Sequence, residues 1–363
     1  MATIAFAGIL GNESVHGARR ARLDWSARVS QRVSPLPVVV LPSPSLRRAS
    51  TVALGVALLH IIFGAIVRIS GSGMGCGDNW PKCHGYWFPP FERVDLVIEV
   101  MHRYLAIALF VAIAWLVVVA RRTRHGASPV GAGGVWNAAR LALGLWFAPA
   151  LFGAVTVFTG NPAWATVIHK LLATSLLAVL TVATIRAGGL GGASIIGLSG
   201  TQRAERSARS AAIGALLVVL LGGLTAKLPG AAIACAGFPL CGEGSLGGSG
   251  QHVQLTHRVL AYLLVLHLAA LPWVFRHRGE VVPVIRAAWI GFGLGVLQIV
   301  WAGWMVTGGF PGVVRSLHQA TGILIWVTAC TMTYLARIAA GRMVTTSALN
   351  TASVTDATSP GVA

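Results

Sequence analysis

The chain has 363 residues, of which 55% are hydrophobic and only 10% are Asp, Glu, Lys or Arg, and its formal net charge is +18. Soluble globular proteins carry about 25% charged residues, so this composition excludes a soluble enzyme, and at this length several membrane crossings leave no large soluble domain over. The positive charge is not a nucleic-acid signature, because the arginines form short runs between apolar segments and not a basic face with stacking aromatics.

In chain order, residues 1–46 contain Arg, Ser and Pro and no long apolar run. They read as a flexible, basic cytoplasmic tail. Val38 to Leu41 is too short for a signal-peptide core, and a mitochondrial transit peptide is the alternative. Eight apolar spans follow, at about 49–68, 97–120, 139–158, 164–186, 210–227, 255–275, 285–306 and 316–337. Each is long enough to cross roughly 30 Å of hydrocarbon, and each must be helical, because backbone groups in lipid have no water to bond. The spans divide into an N-terminal half (47–187), a cytoplasmic linker (188–209) and a C-terminal half (210–340). Residues 341–363 are small and polar and are expected to be disordered. The expected fold is an all-α integral membrane protein of eight transmembrane helices.

Arginines concentrate at alternate loops: Arg47 and Arg48, then Arg121, Arg122 and Arg124, then Arg203, Arg206 and Arg209, then Arg276 and Arg278, and finally Arg337. The opposite loops hold Asp78, Glu92, Asp95 and Glu243. The positive-inside rule then places both termini in the cytoplasm of a multi-pass cell-membrane protein. The close cysteine pairs Cys76/Cys83 and Cys235/Cys241 fall outside. No complete zinc pattern accompanies them, so the expected bonds are two disulfides, Cys76–Cys83 and Cys235–Cys241. Cys330, alone in an apolar run, reads as an inert buried thiol.

The chain also repeats itself. Gly64-Ala-Ile-Val-Arg68 precedes Cys76 as Gly223-Leu-Thr-Ala-Lys227 precedes Cys235, and Trp80-Pro81-Lys82-Cys83 is echoed by Phe238-Pro239-Leu240-Cys241. His102-Arg103 matches His257-Arg258, and His169 matches His318. Four helices per repeat leave both halves in the same orientation, so two tandem four-helix bundles related by a pseudo-twofold axis along the membrane normal are expected.

His102, His169, His257 and His318 each lie near the start of an even-numbered span, at similar depth and one pair per half. Two imidazoles on neighbouring helices suit axial ligation of haem iron. His60 and His267 are expected to be hydrogen-bonded core residues, and His84, His125 and His277 solvated or interfacial ones. Arg68, Arg103, Lys227 and Arg258 stand where they could pair with haem propionates or snorkel to lipid phosphate. Glu99 lies three residues before His102, on the same helix face, where the second half has Gln254. It is the one acid expected in or at the edge of a span. Either it pairs with Arg103 or it serves as an acid or base beside one haem only.

Taken together, Gly71-Ser-Gly-Met-Gly-Cys76, Asp78-Asn-Trp80-Pro81-Lys-Cys83, Glu99-Val-Met-His102-Arg103, His169, His257-Arg258 and His318 resemble the haem A synthase family, bacterial form, over roughly 49–337. The resemblance implies oxidation of the methyl at porphyrin position 8 of haem O. Two hydroxylations and loss of water from the gem-diol give the formyl group of haem A, destined for cytochrome oxidase. It implies substrate haem O at His102 and His169, a haem b cofactor at His257 and His318, and a catalytic Glu99. It further implies partnership with haem O synthase (protohaem farnesyltransferase) and with cytochrome oxidase assembly. The long N-terminal tail departs from the family pattern. A di-haem electron-transfer protein of cytochrome b type is the alternative, and it predicts symmetric sites. A repeat-built transporter would instead place broken helices or charges near the bilayer midplane.

Overall fold

The computed structural model describes residues 43–79, 81–123, 132–245 and 247–341. Trp80, Arg124, His125, almost all of the N-terminal tail and nearly all of the C-terminal tail lie outside the described residues. Among the described residues eight helices are long and apolar enough to cross a membrane. They are α1 (Pro44–Ile69), α2 (Val94–Arg122), α3 (Ala132–Phe158), α4 (Ala163–Arg186), α5 (Gln202–Thr225), α6 (Gly248–His277), α7 (Val282–Thr307) and α8 (Gly312–Ala339). The chain is an all-α membrane protein, as its hydropathy predicts.

Most helices outrun the expected spans, because capping continues them past the apolar stretch. Ser43 accepts from the Leu46 amide ahead of Pro44 at the start of α1, and Thr201 accepts from the Ala204 amide at the start of α5. The longer α5 takes in Glu205, which is buried. Asp95 lies in the first turn of α2, so Glu99 is not the only acid within a helix. The linker is structured as well: Glu280 accepts from both the amide and the hydroxyl of Thr201.

Within the first half, α1 packs on α2, α2 on α3, α3 on α4 and α4 back on α1. The second half repeats the ring with α5, α6, α7 and α8. The halves meet through α4 on α8, α1 on α8 and α4 on α5. Exchanging α1 with α5 and α4 with α8 leaves that pattern unchanged. Trp326 of α8 donates to the Thr174 carbonyl of α4 at 3.0 Å, and Arg186 of α4 donates to the Tyr334 hydroxyl at 2.5 Å.

Burial is uneven along the helices, and this positions the site. In α1 and α5 most buried side chains lie in the stretch from the N-terminus to just past the middle (Ala49, Ala53, Ala57; Ala204, Ala208, Ala211, Ala215). In α2, α4 and α6 they concentrate in the C-terminal halves (Ile113, Leu116; Leu177, Leu180; Leu268, Leu271). One end of the bundle is therefore closed by alanines, whose small side chains let membrane helices approach. The other end, toward the cysteine loops, buries fewer side chains of these helices and holds the histidines.

Candidate functional site

The loops at the histidine-bearing end are built twice on one plan. Each leaves its helix through a left-handed glycine, Gly71 (φ 76°) or Gly230 (φ 71°), into one turn of 3-10 helix at Ser72–Met74 or Ala231–Ile233. A side chain there would strain the backbone. Each loop is closed by a disulfide, Cys76–Cys83 or Cys235–Cys241. Each is then tied to the following helix: the Cys76 amide donates to Glu99 Oε2 at 2.9 Å, and the Cys235 amide donates to Gln254 Oε1 at 2.6 Å.

Arg103 donates to the carbonyls of Asn79, Pro81 and Lys82 and to Glu99 Oε1 at 2.6 Å. Arg258 donates to the carbonyls of Cys235, Gly237 and Pro239. Both guanidiniums thus anchor loops. Glu99 and Gln254 occupy matching, buried positions, each 5% exposed. They differ in that the carboxylate engages its arginine while the amide Nε2 donates to the Ala232 carbonyl at 2.9 Å.

The four expected ligand histidines sit six to nine residues beyond the first residue of α2, α4, α6 and α8. At 1.5 Å per residue that is roughly 9–14 Å in, two to three turns. Each pair is brought within electrostatic reach: His102 of His169, and His257 of His318. Three of the rings lie against a helical glycine, His169 against Gly153 at ordinary contact distance and the other two more tightly. A Cβ on Gly64 would stand 3.0 Å from His102 Cε1, and one on Gly222 would stand 2.8 Å from His257 Cε1. The contacting residue in the second half is Gly222 and not Gly223, one residue off the register of the sequence repeat. Gly223 instead faces Lys170.

In the first half, His169 Nδ1 bonds the Pro149 carbonyl of α3 at 2.8 Å. Such a bond orients an imidazole and leaves Nε2 as the ligating nitrogen. The His102 ring packs at 4.3 Å, centroid to centroid, on the ring of His60. His60 is half-buried and differs from the hydrogen-bonded core residue expected: its Nε2, like His102 Nδ1, is buried without a hydrogen-bond partner among the described residues. His267 accords with its expected structural role: it bonds the Ser210 hydroxyl and the Ser207 carbonyl, each at 3.0 Å.

In the second half, His257 and His318 line a largely apolar, partly open cleft. The Nδ1 atoms of both are buried without a hydrogen-bond partner among the described residues, and Gln298 bonds His318 Nε2 at 3.2 Å. Arg68, Lys170, Arg258 and Arg315 also line the cleft, and no Asp or Glu does so among the described residues. Arg68 donates to Gln319 of α8 at 2.7 Å. Lys227 lies outside the spans, and its ammonium pKa is lowered by partial burial and then by Arg68. Two imidazoles with orphaned nitrogens, an apolar slot and unneutralised cations at its edge fit a flat, iron-bearing, dicarboxylate macrocycle such as haem. Sequence reading missed Lys170, Gln298 and Arg315 and gave His60 a structural role only. Lys170 carried a readable signal, being a charge inside an apolar span.

Fold and site together define a membrane protein with eight long apolar helices among the described residues and two pairs of half-buried histidines, one on α2 and α4 and the other on α6 and α8. Residues 47–99 match the cytochrome oxidase assembly protein family. A haem A synthase of Symbiobacterium thermophilum is 31% identical over 262 residues, covering 68% of this chain and 80% of the relative. Those of an Exiguobacterium species (29% over 274 residues; 74% and 85%) and of Geobacillus thermodenitrificans (28% over 240; 65% and 74%) are also similar. The chain belongs to the haem A synthase family.

Proposed function

We propose that this chain oxidises the position-8 methyl of haem O to the formyl group of haem A, with the substrate in the first half and a haem b cofactor in the second. Family membership makes it an enzyme of haem A biosynthesis with a haem substrate and a haem-type cofactor. The observation that carries the division of labour is the single difference between two otherwise matched loop anchors, Glu99 against Gln254.

In this reading His102 and His169 would hold the substrate by its iron, beside the loop that Glu99 anchors. Glu99 and Arg103 keep the disulfide loop in place. The Glu99 carboxylate is placed to move protons or to stabilise positive charge developing at the reacting carbon. His257 and His318 would hold haem b, which when bound supplies one-electron redox chemistry. The alanine-packed end keeps the sites near one membrane face, proposed to be the outer face of the cell membrane with both termini cytoplasmic. The four-helix halves, the pseudo-twofold axis and the association with haem O synthase and cytochrome oxidase assembly belong to the same proposal.

Extraction and chromatography of haem from the purified protein tests it. Haem O or haem A beside protohaem is the expected result. Protohaem alone, at two equivalents, would instead make the chain a cytochrome b-type electron carrier.

A further inference from the structure

We infer that the haem site of the second half is completed from the first: Arg68 of α1 and Lys170 of α4 cross the interface to hold the carboxylates of the group bound between His257 and His318. This rests on the reading of those two histidines as haem ligands. Lys170 follows His169 directly, and consecutive helical residues point about 100° apart. His169 turns toward α3, where it bonds the Pro149 carbonyl. Lys170 turns toward α5, where its Nζ stands 3.3 Å from the position a Gly223 Cβ would take. The glycine leaves the passage that admits the side chain to the second-half cleft.

Arg68 lines the same cleft from α1. It is within electrostatic reach of Lys170 and of Arg315, so like charges gather there. Among the described residues the Lys170 ammonium has no hydrogen-bond or ion-pair partner, and no carboxylate lines the cleft. A half-buried ammonium facing an apolar cleft beside a guanidinium, with no counter-ion among the described residues, is costly unless an anion joins them. The expected occupant of the cleft carries two carboxylates.

The duplicated position shows that the arrangement belongs to one site. In the second half Gln319 follows His318 as Lys170 follows His169, and Gln319 accepts from Arg68. Its neutral amide supports the guanidinium where a second ammonium would repel it. One helix, α4, thereby carries the iron ligand of one site and the carboxylate partner of the other on adjacent residues. Cofactor loading in the second half then requires the first half to be folded against it.

The test compares release of protohaem and of its dimethyl ester, from full-length detergent-solubilised protein to apomyoglobin. A His102→Ala background reports the second-half site alone. Wild-type Lys170 and Arg68 should retain the free acid about tenfold longer than the ester, the scale of a charge-assisted hydrogen bond. Lys170→Met and Arg68→Gln should each lose the free acid about tenfold faster and largely abolish the difference between acid and ester, while Lys170→Arg should restore it. If Lys170→Met does not fold, Lys170→Gln against Lys170→Arg makes the same comparison. Equal release of the free acid by wild type and the neutral variants overturns the inference, as does undiminished discrimination against the ester. Failure of the underlying reading looks different: no protohaem would bind, or binding would survive loss of His257 and His318.

Discussion

Glu99 accepts a hydrogen bond from the backbone amide of Cys76 at 2.9 Å, joining α2 to the disulfide loop across 23 residues of chain. Gln254 makes the corresponding bond to Cys235 at 2.6 Å, so an amide oxygen can perform the structural task. Glu99→Gln should therefore keep the loop bond and the fold, and change only the charge and the contact with Arg103. We expect the variant to retain its second-half haem and to accumulate haem O or a hydroxylated intermediate, read by chromatography of extracted haem. Formation of haem A at the wild-type rate would reduce Glu99 to a loop anchor.

His60 was expected to be an ordinary core histidine, whose loss changes little. Its ring lies 4.3 Å from that of His102, which gives it a specific consequence. Truncation to Ala removes one wall of the His102 environment and leaves a void that neighbours fill only in part. His60→Ala should perturb the absorption spectrum of haem bound in the first half and leave the second-half signal unchanged. A spectrum identical to wild type in both halves would return His60 to the role of inert filler.

Gly222 tests the second-half site from the opposite direction. A methyl there would stand 2.8 Å from His257 Cε1, inside contact distance, within a helix that cannot shift one residue alone. Gly222→Ala should displace the imidazole and cost about 1–3 kcal/mol by overpacking. His257→Ala and His318→Ala should each abolish stable haem retention in this half, because one axial ligand is gone. Difference spectra of the purified variants measure both effects, and wild-type spectra in all three would refute the ligand assignment.

The two disulfides each close a short loop, so their entropic contribution should be modest, on the order of 2–3 kcal/mol for each bond. Cys83→Ser should lower thermal stability by that scale and loosen the loop that Arg103 holds. Maleimide labelling of intact membranes without reductant should modify neither pair. Ready labelling of all four thiols would contradict an oxidising compartment.

Orientation follows from charge and is open to direct measurement. Reporter fusions after Gly188, between α4 and α5, and after Gly248, at the start of α6, are separated by one crossing. They should report opposite sides, with the Gly188 fusion cytoplasmic. The same side for both would remove a helix from the membrane.

The eight spans, the duplication and the four histidines were legible in the chain because each has a short-range cause. Twenty apolar residues must form a helix in lipid, and a repeated His-Arg marks a repeated helix start whatever surrounds it. Helix ends were less legible, since α5 begins at Gln202 through the Thr201 cap and the polar first turn hides it from hydropathy. What lies across an interface was not legible at all. Arg68 and Lys227 look equivalent in sequence, yet Arg68 is held by Gln319, 251 residues away. Arg103 and Arg258, candidates for propionates by position, also donate to loop carbonyls about twenty residues earlier, which position alone does not show. Hydropathy and periodicity depend on neighbours along one helix, and so the sequence by itself determined the helices and their histidine-bearing ends. The partner of each charged side chain depends on which helices touch and at what rotation, and only the packing of α1 and α4 against α5 and α8 decided that.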